Sequence, residues 1–134
     1  MRIGEMMSSG GPVAAPTDTI RAAAWQMVQA DVKAMAVVEA DRVAGILTDW
    51  DLARAAADGG DPATRFVGEY MTADVVSTSV EAQLSEAGEL MAEHRIHHLV
   101  VCEDGRYAGI LHLDVEWTDH GGRGAPHATF AAPI

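Results

Sequence analysis

Four histidines are the side chains of this sequence best suited to hold a metal ion or to move a proton. His94, His97 and His98 lie close together, and His112 follows further along the chain. His97 and His98 are expected to point to opposite faces of one strand. No cysteine or carboxylate stands near them at the spacing of zinc ligands. We therefore expect no metal site.

No set of catalytic residues is evident either. The sequence has no Ser/His/Asp order, no glycine-rich phosphate loop and no convincing pair of acids. The single cysteine, Cys102, lies in an apolar run, where it is expected to be a small buried hydrophobe and not a nucleophile. We predict that the protein is not an enzyme.

Thr48 and Asp51 stand three residues apart, where an apolar run gives way to a helical pattern. Thr-x-x-Asp at such a point resembles the capping box, in which the two side chains satisfy the free backbone groups of a helix start. A purely structural role for the pair is therefore one interpretation. A binding role is compatible with it, because a cap also positions groups that a ligand can use.

The elements that must position these residues occur twice. When the sequence is shifted by 64 positions, 12 of the 51 pairs between positions 3 and 53 are identical. The run from Arg42 to Leu47 falls on the run from Arg106 to Leu111, with Ala-Gly-Ile-Leu shared. An ungapped match of this length indicates an internal duplication.

Each copy predicts the same order of elements. An apolar stripe at helical spacing is followed by two short apolar runs that a polar turn joins into a hairpin. In the first copy a second helix begins at Thr48 and ends at Gly59–Gly60. The predicted fold is α/β (α+β), with two β-α-β-β-α units packed with pseudo-two-fold symmetry, because one small sheet cannot bury its own face.

The division of the chain follows from this duplication. The second copy lacks a counterpart to the second helix, and the residues after it are rich in Gly, Pro and His. We predict a first repeat over 2–58, a linker over 59–66, a second repeat over 67–117 without its final helix, and a flexible C-terminal tail over 118–134.

Charge and composition restrict the partners. The net charge of −11 disfavours nucleic acid and anionic membranes, because each phosphate contact needs a cation. No apolar stretch is long enough to cross a bilayer, and the first residues lack the apolar centre of a secretory signal. One cysteine fits a reducing compartment. We expect a cytoplasmic protein that binds neither nucleic acid nor membrane.

The duplicated unit resembles the cystathionine-β-synthase (CBS) domain, and the pair resembles a Bateman module. Three motifs carry the likeness over residues 2 to about 117: the leading segments, the helix-to-strand joint and Gly-Ile-Leu-Thr-x-x-Asp. In this sequence they are Ile3-Gly4-Glu5-Met6-Met7 with its echo Val67-Gly68-Glu69-Tyr70-Met71, the joint from Met91 to Val101, and Gly45 to Asp51.

The resemblance implies a cleft between the repeats that holds an adenine nucleotide or adenosine derivative, such as AMP, ADP or ATP. The positions matching the family's pattern are Gly45, Thr48 and Asp51. Thr48 would approach the phosphate at a helix start, where free N–H groups favour an anion. Asp51 would accept hydrogen bonds from both ribose hydroxyls. The family also places basic residues near the phosphate, and the candidates are Lys33, Arg95, His97 and His98.

The second copy departs from the pattern. His112 stands where the first copy has Thr48, and Val115 stands where it has Asp51. Valine cannot bond a ribose diol, so the second cleft is expected to be empty or to hold something other than a nucleoside. We therefore expect one nucleotide per chain.

These observations predict a regulatory sensor with no catalytic cofactor. It would act on an enzyme or transporter in trans and pair with a second copy into a homodimer, with Trp50 and Trp25 as candidate interface residues. The alternative, from another class, is an oligomerisation or protein-interaction scaffold that has lost its ligand.

Overall fold

The computed structural model describes residues 1–6, 11–114 and 127–130. The helix from Ile20, the two hairpin strands and the helix from Asp49 lie where the pattern of the first copy predicts them, whereas the helix at Ile3–Met6 and the strand at Val13–Ala14 were not located by that pattern. The helices are α1 (Ile3–Met6), α2 (Ile20–Ala30), α3 (Asp49–Ala57), α4 (Val67–Tyr70) and α5 (Leu84–His94). The strands are β1 (Val13–Ala14), β2 (Ala34–Glu39), β3 (Arg42–Thr48), β4 (Ser77–Ser79), β5 (His98–Glu103), β6 (Arg106–Asp114) and β7 (His127–Phe130).

The 64-residue shift of the sequence is repeated in the backbone. The helix Ile20–Ala30 and the helix Leu84–His94 have equal lengths, and each ends on a left-handed residue, Asp31 or Arg95. The hairpin β2–β3 has the register of β5–β6, including a bulge one residue after the matching valines Val37 and Val101. The duplication therefore extends to local irregularities.

The two hairpin turns explain which residues occupy them. Ala40 and Asp41 both have positive φ, 51° and 66°, as do Asp104 and Gly105 at 51° and 78°. Two successive left-handed residues are typical of the type I′ turn, whose twist suits antiparallel strands. Asp-Gly is the favoured sequence for this turn, while Ala40 adopts the same conformation at a steric cost.

The sheets are a three-stranded sheet in the order β1-β2-β3 and a four-stranded sheet in the order β4-β5-β6-β7. In each, the short first strand is parallel to its neighbour and the hairpin is antiparallel. Ala34 and Ala36 of β2 pack against Ile110 of β6 in a small core between the repeats. Two small alanines let the two hairpins approach closely, and this contact joins the repeats.

Part of the C-terminal segment departs from the predicted flexible tail. His127–Phe130 forms strand β7, which pairs antiparallel with the second half of β6. β6 runs two residues past the length of β3, and this longer edge supplies the backbone groups with which β7 pairs. The predicted lack of a second helix in the second copy concerns residues 115–126, which lie outside the described part of the chain.

The leading segments are exchanged between the repeats. Ile3, from the start of the first copy, is fully buried in the core of the second repeat, and its amide donates to the carbonyl of Ala82. Val67, from the start of the second copy, is buried in the core of the first, and its amide donates to the carbonyl of Asp18. The two repeats are therefore joined through these segments as well as through their sheets.

Candidate functional site

Thr48 and Asp51 form the capping box that their spacing predicts. The backbone N–H of Thr48 donates to Oδ2 of Asp51 at 2.9 Å, and the N–H of Asp51 points back to the hydroxyl of Thr48 at 3.4 Å. The Thr48 hydroxyl also donates to Oδ2 at 3.1 Å. The structural interpretation of this pair is thus correct, whatever else the pair does.

Arg54 covers the carboxylate of Asp51. Its Nη1 lies 3.0 Å from Oδ1 of Asp51, and the Asp51 residue is only 3% exposed although it stands on a surface helix. Both carboxylate oxygens thus have partners within α3. The guanidinium is half exposed, so it can swing into solvent at little cost. A ribose could reach the Asp51 carboxylate only after Arg54 has moved.

Two of the basic candidates, Lys33 and His98, lie near the start of helix α3. The amide of Asp49 donates to the carbonyl of Lys33 at 3.0 Å, which ties the start of α3 to the residue before β2. From the second repeat, His98 lies close enough for the charges of Lys33, Asp49 and His97 to act on its ionisation. Thr48, Asp51 and Lys33 therefore lie together at this helix start, and the charges of Lys33 and Asp49 reach His98 of the second repeat.

The charge of this region is mixed. Asp49 and Asp51 both lie in the first turn of α3, and Oδ1 of Asp49 accepts from the amide of Trp50 at 2.9 Å. These carboxylates already satisfy the backbone groups of the helix start, and the charge of Lys33 acts on His98 of the second repeat.

His98 and His112 contact each other across the β5–β6 ladder. Nε2 of His98 is 3.0 Å from Nδ1 of His112, and the ring centroids are 4.6 Å apart. Burial, together with the neighbouring His112 ring, lowers the pKa of His98 from 6.5 to about 4. His98 is therefore neutral at pH 7 in the ligand-free protein, contrary to the simple expectation of a basic residue.

Gly45 and Arg95 have structural roles that their motif positions did not indicate. A Cβ atom on Gly45 would lie 2.7 Å from Sδ of Met71 and 2.8 Å from the carbonyl oxygen of Thr72. The glycine thus admits the exchanged leading segment of the second copy. Arg95 ends α5 in a left-handed conformation and is exposed. Its place in the site stays a prediction.

A cleft of about 620 Å³ lies elsewhere, between the first strand of the first repeat and the β5–β6 hairpin. Val13, Arg106 and Tyr107 are among the residues that line it, and burial raises the pKa of the Tyr107 hydroxyl to about 12. None of the predicted site residues lines this cleft. It lies at the hairpin end of β6, away from His112 near the other end of the strand.

Sequence reasoning missed two members of the site. Arg54 was overlooked, although an arginine three residues after an aspartate on a helix is a recognised ion-pair spacing. The contact between His98 and His112 was also missed, because these residues are 14 positions apart and come together only across a pair of strands. The duplication could have indicated this contact. Ala34 pairs with Thr48 in the hairpin β2–β3, so the matching residues His98 and His112 are expected to pair in β5–β6.

The described residues contain neither a cluster of metal ligands nor a membrane-spanning helix. Among residues 1–6, 11–114 and 127–130, no group of three or more His, Cys, Asp or Glu side chains is placed to hold a metal ion. No helix in these ranges is long and apolar enough to cross a bilayer. Val115 lies outside the described residues, so the prediction that it cannot bind ribose stays a prediction.

A duplicated unit with exchanged leading segments and a capped Thr-x-x-Asp at one helix start defines a paired α/β module. The family model of the CBS domain matches this chain twice, at residues 3–58 and 67–114. The chain belongs to the CBS domain family, as its motifs predicted.

Relatives with this pair are known from several organisms. CBS domain-containing protein YhcV of Bacillus subtilis is 36% identical over 81% of this chain and 78% of its own length. The structure of Hypoxic Response Protein I with two coordinated zinc ions has a TM-score of 0.73, with 28% identity over 82% of this chain and 91% of that one. CBS domain protein PAE2072 of Pyrobaculum aerophilum, complexed with AMP, has a TM-score of 0.77 and 22% identity over 84% and 87%.

Proposed function

We propose that this protein is a non-catalytic, cytoplasmic regulatory module that binds an adenine nucleotide or adenosine derivative where its two repeats meet. The observation that carries the proposal is the grouping of Thr48 and Asp51 with Lys33 at the start of α3, beside His97 and His98 of the second repeat. The AMP bound by the P. aerophilum protein supports this ligand class. The module would act in trans on an enzyme or transporter.

Binding needs a change at Asp51. Its carboxylate is buried beneath Arg54, and the ribose hydroxyls would replace the guanidinium on Oδ1. This exchange removes one charge-assisted hydrogen bond, from Arg54 to Asp51, and forms up to two, from the ribose hydroxyls to the same carboxylate. Arg54 is then free to point into solvent or toward the phosphate.

A thermal-shift screen tests the proposed function. The ligands are AMP, ADP, ATP, adenosine and S-adenosylmethionine, with NAD and cyclic dinucleotides as further members. A ligand present at 100 times its dissociation constant adds about 2.7 kcal/mol to the free energy of unfolding. We expect a stabilising shift from at least one adenine nucleotide. No shift from any adenine compound would contradict the proposal.

The alternative function is a ligand-free scaffold for oligomerisation or protein interaction. It is favoured by the same carboxylate, since Asp51 has partners for both oxygens without a ligand. The replacement of Thr by His112 in the second copy points the same way. The screen separates the two functions, because a scaffold gains no stability from nucleotides.

We further propose that the protein is a homodimer. Trp25 is 65% exposed, and Val28, one turn later on α2, is 74% exposed. Trp50 on the neighbouring helix α3 is 70% exposed. Two open indoles on packed helices are typical of an interface, because tryptophan is enriched there. Light scattering at tens of micromolar is expected to give twice the 14.2 kDa mass of the chain.

The second repeat supplies the variants for this test. Position 25 corresponds to Glu89 on the matching helix α5, so Trp25→Glu copies a residue that this helix already accepts, and Trp50→Asp places a charge at the other exposed indole. Both variants should dissociate the dimer while the fold is kept, since exposed substitutions change stability by about 0.5 kcal/mol or less. Glu89→Gln is the control on the matching helix. A wild-type protein that scatters as a monomer would refute the dimer.

A further inference from the structure

The cleft of about 620 Å³ beside the β5–β6 hairpin is built by both repeats. The first repeat contributes Gly11 and Val13, and the hairpin of the second contributes Glu103, Asp104, Arg106 and Tyr107. The volume is that of a small-molecule site. Val13 is apolar and 42% exposed, so the cleft combines an apolar wall with charged groups.

The polar side chains of this cleft have no partners among the described residues. Glu103 and Arg106 are opposite each other at the end of the hairpin, where cross-strand side chains stand about 5 Å apart. No ion pair within the described part of the chain includes either of them or Asp104. The Tyr107 hydroxyl makes no hydrogen bond to a described residue, and burial raises its pKa to about 12, so it remains a donor at neutral pH. The cleft therefore presents groups of both charges and a phenol that a ligand can use.

The two repeats differ where this cleft needs them to differ. Tyr107 corresponds to Val43 of the first repeat, and Gly11 corresponds to Val75 of the second. A Cβ atom on Gly11 would lie 3.8 Å from the Tyr107 hydroxyl, so the glycine leaves space beside the phenol that a valine side chain would fill. A half-buried hydroxyl without a partner lowers stability, and the same fold position accepts valine in the first copy. The phenol is therefore not required for packing, which favours a role in binding.

We propose that this cleft binds a small zwitterion with an apolar side chain, of the chemical class of the α-amino acids. The carboxylate of the ligand pairs with the Arg106 guanidinium and accepts from the Tyr107 hydroxyl. The ammonium pairs with Glu103 or Asp104, and the apolar side chain packs against Val13. A ligand of one charge alone would leave the opposite charge of the hairpin unmatched. The cleft is separate from the start of α3, so this binding goes beyond the proposed nucleotide site.

A titration of the isotope-labelled full chain with L-phenylalanine, followed through the backbone amide signals, tests this site. Phenethylamine lacks the carboxylate and hydrocinnamate lacks the ammonium, so these two compounds are matched probes for the two charges. We expect saturable shifts at Gly11 and Ala108, with a dissociation constant on the order of 1 mM because the charged side chains are exposed. Each analogue should bind about fivefold more weakly, the factor for one partly exposed ion pair.

Two variants remove the groups that hold the carboxylate. Tyr107→Phe should weaken the binding of L-phenylalanine by about two- to tenfold, the effect of one hydrogen bond. The free energy of unfolding should not fall in this variant, because the hydroxyl has no hydrogen bond to a described residue. Arg106→Gln should weaken binding about fivefold. Arg42→Gln, the matched change on the first hairpin, should leave the affinity unchanged, since Arg42 does not line the cleft.

Equal affinities for L-phenylalanine and hydrocinnamate would refute the recognition of a zwitterion. No saturable shift from L-phenylalanine, or shifts centred on the start of α3 instead of the β5–β6 hairpin, would refute the cleft as the site. A Tyr107→Phe protein that binds like wild type and is less stable would assign the phenol to packing. None of these results bears on nucleotide binding, which the thermal-shift screen tests separately.

Discussion

Asp51→Ala is expected to lower nucleotide affinity by one to two orders of magnitude or more. The substitution removes the acceptor for both ribose hydroxyls, and hydrogen bonds to a charged group contribute about 1.5–3 kcal/mol each. It also removes the N3 carboxylate of the α3 capping box, at about 1 kcal/mol of folding stability, and the half-exposed ion pair with Arg54, at up to about 1 kcal/mol. Calorimetric titration gives the affinity, and denaturant unfolding gives the stability.

Three controls separate a ligand contact from a helix cap. Arg54→Ala removes the cover of Asp51 and keeps its carboxylate, so adenosine should bind at least as well as to wild type. The 2′-deoxy nucleotide should bind weakly to wild type, and Asp51→Ala should bind it about as well as it binds the ribo form. Val115→Ala, at the matching position of the second copy, should leave affinity unchanged. An Asp51→Ala protein that folds and binds like wild type would remove Asp51 from the site.

Gly45→Ala is expected to lower the free energy of unfolding by about 1–3 kcal/mol, the range for overpacking a well-filled position. The new methyl group would meet the Thr72 carbonyl at 2.8 Å. That carbonyl cannot withdraw easily, because it accepts from the amide of Ile46 at 3.0 Å while the Thr72 amide donates back at 2.9 Å. Denaturant unfolding measures the loss.

A second variant shows which atom opposes the methyl group. Met71→Ala removes the flexible side chain that also lies near Gly45, but it leaves the Thr72 backbone in place. The double variant should therefore remain destabilised relative to Met71→Ala alone. Full rescue would mean that the exchanged segment is held less rigidly than its hydrogen bonds indicate. Nucleotide affinity, measured under conditions where the variant is fully folded, should change little. Gly45 contacts the leading segment of the second copy and not the residues at the start of α3.

The sequence was sufficient to predict the helices from Ile20 and Leu84 and the two hairpins, because the duplication doubled their signals. It did not locate the short leading helices or the short strands β1 and β4. The helix from Ile20 and the helix from Leu84 share their apolar stripe, and the hairpin turns recur 64 residues apart. The exchange of leading segments could not be predicted in this way. Ile3 and Val67 have the same local sequence context, and which core each one enters depends on the packing of the whole chain.

The candidate site was predictable in its motif and not in its electrostatics. Thr48 and Asp51 are neighbours in sequence, so their capping box follows from spacing alone. The neutral state of His98 depends on burial and on charges from both repeats, which no local pattern contains.

The number of nucleotides bound per chain is the most direct test of the account. Calorimetric titration of the wild-type protein with AMP, or with the strongest ligand of the screen, is expected to give one site per chain, because only the first copy has Thr48 and Asp51 at the motif positions. Two equivalent sites per chain would contradict the asymmetry between the copies. No binding of any adenine compound would contradict the nucleotide site altogether and leave the scaffold as the function.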